Sequence, residues 1–70
     1  MATINAHITG TVFKIECAVG DRVAPGDTVA ILESMKMELP VEAETGGTVK
    51  EICAKEGEAV SEGQPLIVLE

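Results

Sequence analysis

The stretch Glu33-Ser34-Met35-Lys36-Met37-Glu38 is the seam between two copies of one pattern. Sliding the chain by 37 positions lays Gly10-Thr11-Val12 on Gly47-Thr48-Val49, Ile15 on Ile52, Gly20 on Gly57, Val23 on Val60, Gly26 on Gly63 and Leu32-Glu33 on Leu69-Glu70, without a gap. Self-similarity of this kind marks one supersecondary unit used twice, here once per half. If a pseudo-twofold relates the halves, Met1 to Ala6 corresponds to Glu38 to Ala43, and Thr28 to Glu33 corresponds to Pro65 to Glu70. The counterpart of the Lys36 connection is then the gap between the chain ends. The two ends are expected side by side at one pole, with Lys36 on a tight turn at the other.

Working outward from the seam, short runs with strand character alternate with strong turn signals. Thr28 to Ser34 and Met37 to Ala43 flank the Lys36 turn, and Leu39, Val41 and Ala43 are expected to face inward. Ala2 to His7 shows the same alternation, with Ala2, Ile4 and Ala6 on one side. The remaining strands are expected at Thr11 to Ala18, around Val23, at Thr48 to Ala54, Ala59 to Ser61 and Pro65 to Leu69. Pro25-Gly26 suits the central positions of a type II turn, because proline presets the first backbone angle and glycine accepts the left-handed second. Pro40 has no N–H to give to a ladder, so its strand belongs at an edge or at a bulge.

Composition agrees with this reading. Valine and isoleucine together number 14 against 4 leucines, and stiff β-branched side chains favour strands. No segment carries a sustained helical period. A chain of 70 residues makes one small domain that must rely on tight aliphatic packing. The expected fold is all-β: a flattened barrel-sandwich hybrid of about eight strands in two small sheets.

Several functional classes are excluded by the same data. With 12 acidic and 5 basic residues the net charge is -7, the wrong sign for neutralising phosphates, and no basic stripe or interleaved aromatics suggest nucleic acid. No apolar stretch has the length of a membrane span, and the N-terminal residues do not read as a secretory signal, so a cytoplasmic location is expected. Cys17 and Cys53 cannot form a disulfide framework, and strand alternation turns them to different sides, so both are read as reduced thiols. His7, the one histidine, lacks partners at metal-ligand spacing and reads as a plain strand-end residue. No phosphate-binding glycine loop, nucleophile elbow or catalytic triad is present, so the chain reads as a substrate of other enzymes and not as an enzyme.

Lys36 is the exception to this plain inventory. A lysine on a turn is ordinarily a solvated charge, but here Met35 and Met37 place polarizable apolar side chains on either side of it, an arrangement suited to a partner's pocket. With Gly20-Asp21 and Val23, Gly26-Asp27-Thr28 and Gly47-Thr48-Val49-Lys50, the Glu33 to Met37 segment resembles the biotinyl and lipoyl attachment domains over the whole chain. Residues 1–70 are accordingly read as one biotinyl-type carrier domain. The resemblance implies a barrel-like sandwich of two four-stranded sheets, with the modified lysine in the turn of a protruding hairpin. Met-Lys-Met resembles biotin carriers, whereas lipoyl domains typically have Asp-Lys-Ala; Ser34 stands where biotin carriers most often have alanine.

What the resemblance implies chemically is a small biotin carboxyl carrier. Lys36 would bind biotin covalently, with Met35 and Met37 as flanking recognition residues. A biotin protein ligase would make biotinyl-adenylate, which the Lys36 amine attacks to form an amide. Because an exposed lysine amine is protonated at neutral pH, the ligase must supply a base or a desolvating site. A biotin carboxylase would then load the ring with a carboxyl group using ATP and bicarbonate, and a carboxyltransferase would pass it to an acyl-CoA or a related acceptor, as in the acetyl-CoA carboxylase of fatty acid biosynthesis. The alternatives are a lipoyl carrier for acyl or aminomethyl transfer and an unmodified structural module of the same fold.

Overall fold

The β-branched runs become eight strands in the computed structural model, which describes residues 2–70. They are β1 (Ala2–Asn5), β2 (Gly10–Ile15), β3 (Arg22–Val23), β4 (Thr28–Ser34), β5 (Met37–Glu42), β6 (Gly47–Ile52), β7 (Ala59–Val60) and β8 (Pro65–Leu69). Two four-stranded antiparallel sheets result, in the orders β1-β8-β6-β3 and β5-β4-β2-β7. The 37-residue shift carries β1 onto β5, β2 onto β6, β3 onto β7 and β4 onto β8, so the repeat exchanges whole sheets.

Backbone hydrogen bonds obey the same exchange. Ala6 N–H donates to the Gln64 carbonyl at 2.8 Å, as Ala43 N–H does to Asp27 at 2.9 Å. Gly63 N–H reaches the Ala6 carbonyl and Gly26 N–H the Ala43 carbonyl, each at 2.8 Å. The expected type II turn forms at Pro25-Gly26: Gly26 has φ 91° and Asp27 N–H closes on the Ala24 carbonyl at 3.0 Å. Its repeat mate has Gly63 at φ 89°. In both turns the side chain after the glycine folds back to accept from the backbone, Asp27 from Ala24 N–H at 2.8 Å and Gln64 from Ser61 N–H at 3.1 Å.

Several strands end before the sequence pattern does. β2 stops at Ile15 and β6 at Ile52, because the chain there leaves one sheet for the other after a last bond to its own sheet, Glu16 N–H to the Val29 carbonyl and Cys53 N–H to the Leu66 carbonyl. β1 ends at Asn5, β5 at Glu42 and β7 at Val60, again short of His7, Ala43 and Ser61. Strict alternation also fails inside β4 and β8. Val29 and Ala30 are both buried, as are their mates Leu66 and Ile67, because a bulge in each ladder turns two successive residues inward.

The core lies between the sheets and is aliphatic throughout: Leu32, Leu66, Ile67, Leu69, Val12, Val29 and Val49 are its largest fully enclosed side chains. No charged or polar residue is buried among the described residues. Pro40 sits on β5, the outermost strand of its sheet, which is the edge position its missing N–H requires. Ala2 pairs with Leu69, so the two ends of the chain run side by side. The correspondence expected between Met1 and Glu38 lies outside the described residues. Under the exchange of halves, the paired ends take the place of the Ser34 to Met37 turn, in a body 31 × 19 × 18 Å.

Candidate functional site

β4 and β5 form the longest ladder, and its last pairs are Leu32 with Leu39, Glu33 with Glu38 and Ser34 with Met37. Only Met35 and Lys36 remain to make the turn. Their φ values are 53° and 65°, both left-handed, the geometry of a type I′ hairpin whose twist matches that of the flanking strands. Asparagine and glycine normally take these positions, and a residue with a Cβ costs roughly 1–2 kcal/mol there. The turn therefore persists because the ladder beneath it dictates it.

Gly10 supports the neck of this hairpin. A Cβ at Gly10 would sit 2.5 Å from the Glu33 carbonyl oxygen and 3.4 Å from the Ser34 Cβ, so only the absence of a side chain lets β2 begin directly against it. Ser34 is small enough to share that corner. Gly10 enters the sequence reading only as a match to Gly47; the close approach depends on register, which the repeat alone does not specify.

Met35 is 93% exposed and Met37 57%, and Lys36 between them is exposed. Among the described residues no carboxylate pairs with the Lys36 amine and no hydrogen bond holds it. Glu33 and Glu38 face each other across the ladder immediately below, a like-charge pair left in water. All three residues singled out from the sequence thus lie together on one two-residue turn and its first pair.

The rest of the inventory stays apart from this tip. A cleft of about 980 Å³ opens between the edge strands β1 and β5, lined among others by Ile4, His7, Val41 and Glu42, and it does not include the Lys36 turn. His7 is exposed, and no group of three or more His, Cys, Asp or Glu among the described residues is arranged to hold a metal. Cys17 packs against the core edge while Cys53 is exposed, and both are free. Partial burial, then Asp21, raises the Cys17 thiol above its ordinary value, and burial, then Glu51, does the same for Cys53. Neither thiol is activated as a nucleophile.

A small twofold sandwich that presents an exposed lysine on a hairpin tip has the form of a carrier-type attachment domain. The family profile described as "Biotin-requiring enzyme", Biotin_lipoyl, matches residues 1–69. The chain is 45% identical over 67 residues to the biotin/lipoyl attachment protein of Bacillus subtilis (strain 168), covering 96% of this chain and 92% of that protein. It is 40% identical to the pyruvate carboxylase of the same organism over 67 residues, 96% of this chain but 6% of that enzyme. The crystal structure of the Kluyveromyces lactis urea carboxylase superimposes with a TM-score of 0.92 at 38% identity, covering 99% of this chain and 6% of that one. The chain belongs to the biotin/lipoyl attachment domain family.

Proposed function

We propose that this domain is a biotin carboxyl carrier whose acceptor is Lys36, recognised together with Met35 and Met37. The observation that carries the reading is the exposed amine on a strained two-residue turn, flanked by two solvent-facing methionines. The Met-Lys-Met sequence and the likeness to domains of pyruvate carboxylase and urea carboxylase support biotin over lipoate.

The residues of this chain orient and expose; they do not catalyse. The ladder from Thr28–Glu42 to Ser34–Met37 holds the tip in one conformation, so little rotational freedom is lost when an enzyme receives it. Lys36 Nζ gives up a proton to the modifying ligase, its lone pair forms an amide with the cofactor's activated carboxyl carbon, and the activating group leaves with its bonding electrons. Bound biotin supplies a ring nitrogen that accepts and releases a carboxyl group. The exposed Lys36 turn would hold that arm at the end of the hairpin, where one tether could serve a biotin carboxylase and then a carboxyltransferase at high effective concentration. The acceptor in this reading is an acyl-CoA or similar molecule, with acetyl-CoA and fatty acid biosynthesis as one setting. The partners are a biotin protein ligase and carboxylase components of the cytoplasm.

Peptide mass mapping of the protein from its native source tests this directly. A biotin increment on Lys36 is expected; a lipoyl increment or a bare lysine in cells with active ligases overturns it. Lys36→Arg should abolish avidin binding with the unfolding curve unchanged, because guanidinium does not replace the amine in this amide.

A further inference from the structure

The exchange of sheets makes every surface position comparable with a mate, and one face breaks the match. On the outer side of sheet β5-β4-β2-β7, Pro40 lies opposite Ile31, and Ile31 lies opposite Lys14. Next to Lys14, a bulge between Val12 and Lys14 leaves Phe13 without a ladder partner, and the only aromatic of the chain is 49% exposed there. The mates on the other sheet are Thr3 opposite Val68, Val68 opposite Glu51, and Lys50 in the equivalent bulge. Where one face has Phe13, Ile31 and Pro40, the other has Lys50, Val68 and Thr3. Backbone and bulge are the same, so the fold does not require phenylalanine at this exposed position.

The apolar strip lies on the same ladder as the Lys36 hairpin. Ile31 is on β4, the strand that leads into the tip, and lies about 10 Å below Ser34 at about 3.3 Å per residue. Between strip and tip stand Glu33 and Glu38, and Glu42 borders the strip further along β5. Lys14 is offset by Glu16, with 3.7 Å between Nζ and carboxylate oxygen. The border is therefore acidic, and it complements a partner whose apolar recess is rimmed by lysine or arginine.

We propose that this outer face, centred on Phe13, Ile31 and Pro40, is the docking surface for the enzyme that acylates Lys36. The proposal rests on the reading of Lys36 as the biotin acceptor. Before modification the domain has only the lysine side chain for reach, so an enzyme that receives the bare amine must close over the tip and meet the surface just below it. After modification the longer arm lets the body of the domain stand away from later enzymes. The face adjoining the tip thus serves the first encounter.

The test uses the unmodified domain and the biotin protein ligase of the same cell. Phe13→Lys installs the residue found at the mate position; it should raise KM for the domain about tenfold with kcat little changed, and weaken calorimetric binding to the ligase by a similar factor. Pro40→Thr, again the mate residue, should act in the same direction and keeps the test decisive if Phe13→Lys unfolds. Lys50→Phe on the opposite sheet should leave KM unchanged. Wild-type KM and affinity in folded Phe13→Lys and Pro40→Thr overturn the proposal. So does a defect confined to later carboxyl transfer, or a wild-type dimer that Phe13→Lys dissociates. Failure of the wild-type domain itself to accept biotin would refute the reading of Lys36 as well, which separates the two ideas.

Discussion

The two sheets share strand order, bulge positions and turn hydrogen bonds, yet one ends in a strained hairpin and the other where Ala2 pairs with Leu69. Equivalent frameworks can therefore carry different poles. The repeat supplies the frame, and what it does not copy is Met35-Lys36-Met37 and the apolar face below.

Core truncation should test the equivalence most severely. Leu32 and Leu69 are repeat mates, 0% and 1% exposed. Each change to alanine should cost about 2–5 kcal/mol, a large share of the roughly 4–10 kcal/mol expected for a domain of this size. The two losses should be similar in urea unfolding, since β4 and β8 are both inner strands of their sheets and the two side chains are equally enclosed. A larger loss for Leu69→Ala would show that the terminal pole is the stiffer one.

The next contrast lies at the two glycines that begin β2 and β6. Gly10→Ala meets the Glu33 carbonyl oxygen at 2.5 Å, whereas at Gly47 the nearest atom is the Glu70 carbonyl oxygen at 3.1 Å, next to the chain end. Gly10→Ala should destabilise by about 1–3 kcal/mol and Gly47→Ala by less, because the closer approach at Gly10 demands the larger backbone shift. Equal effects in thermal unfolding would mean that the neck of the hairpin gives way as readily as the end.

Relief of the turn should act in the opposite direction. Met35→Asn places a residue that tolerates left-handed backbone at φ 53° and should stabilise by about 1 kcal/mol while slowing biotin attachment. Met35→Ala and Met37→Ala should change stability by about 0.5 kcal/mol or less, since both side chains are largely in water. A larger destabilisation would make these methionines part of the fold and not of the recognition surface.

The smallest effect concerns the thiols, which fall one position out of repeat register. Cys53, exposed, should alkylate before Cys17, and both should react more slowly than in the unfolded chain at mildly alkaline pH, because their raised values leave less thiolate. Rates read by mass spectrometry in the reverse order would place Cys17, not Cys53, at the surface.

The ungapped match between halves made the pseudo-twofold, the eight strands and the Lys36 turn legible before any coordinates. Turn chemistry at Pro25-Gly26 and the edge position of Pro40 were equally readable, because proline and glycine act locally. Register was not. The double burial of Val29-Ala30, the exposure of Phe13 and the contact of Gly10 with Glu33 all depend on bulges and on which residue lies opposite which, and alternation alone fixes neither. The left-handed Met35-Lys36 pair was hidden for a related reason: neither residue favours that conformation, and only the ladder on both sides imposes it.

The pairing of Ala2 with Leu69 has a consequence for architecture beyond this chain. A polypeptide that enters and leaves through one doorway hangs its cargo on a single stalk, so the same unit can be spliced into a larger host without rerouting the host's backbone. Swivelling about that stalk would sweep Lys36 along an arc while the grip at the base stayed put.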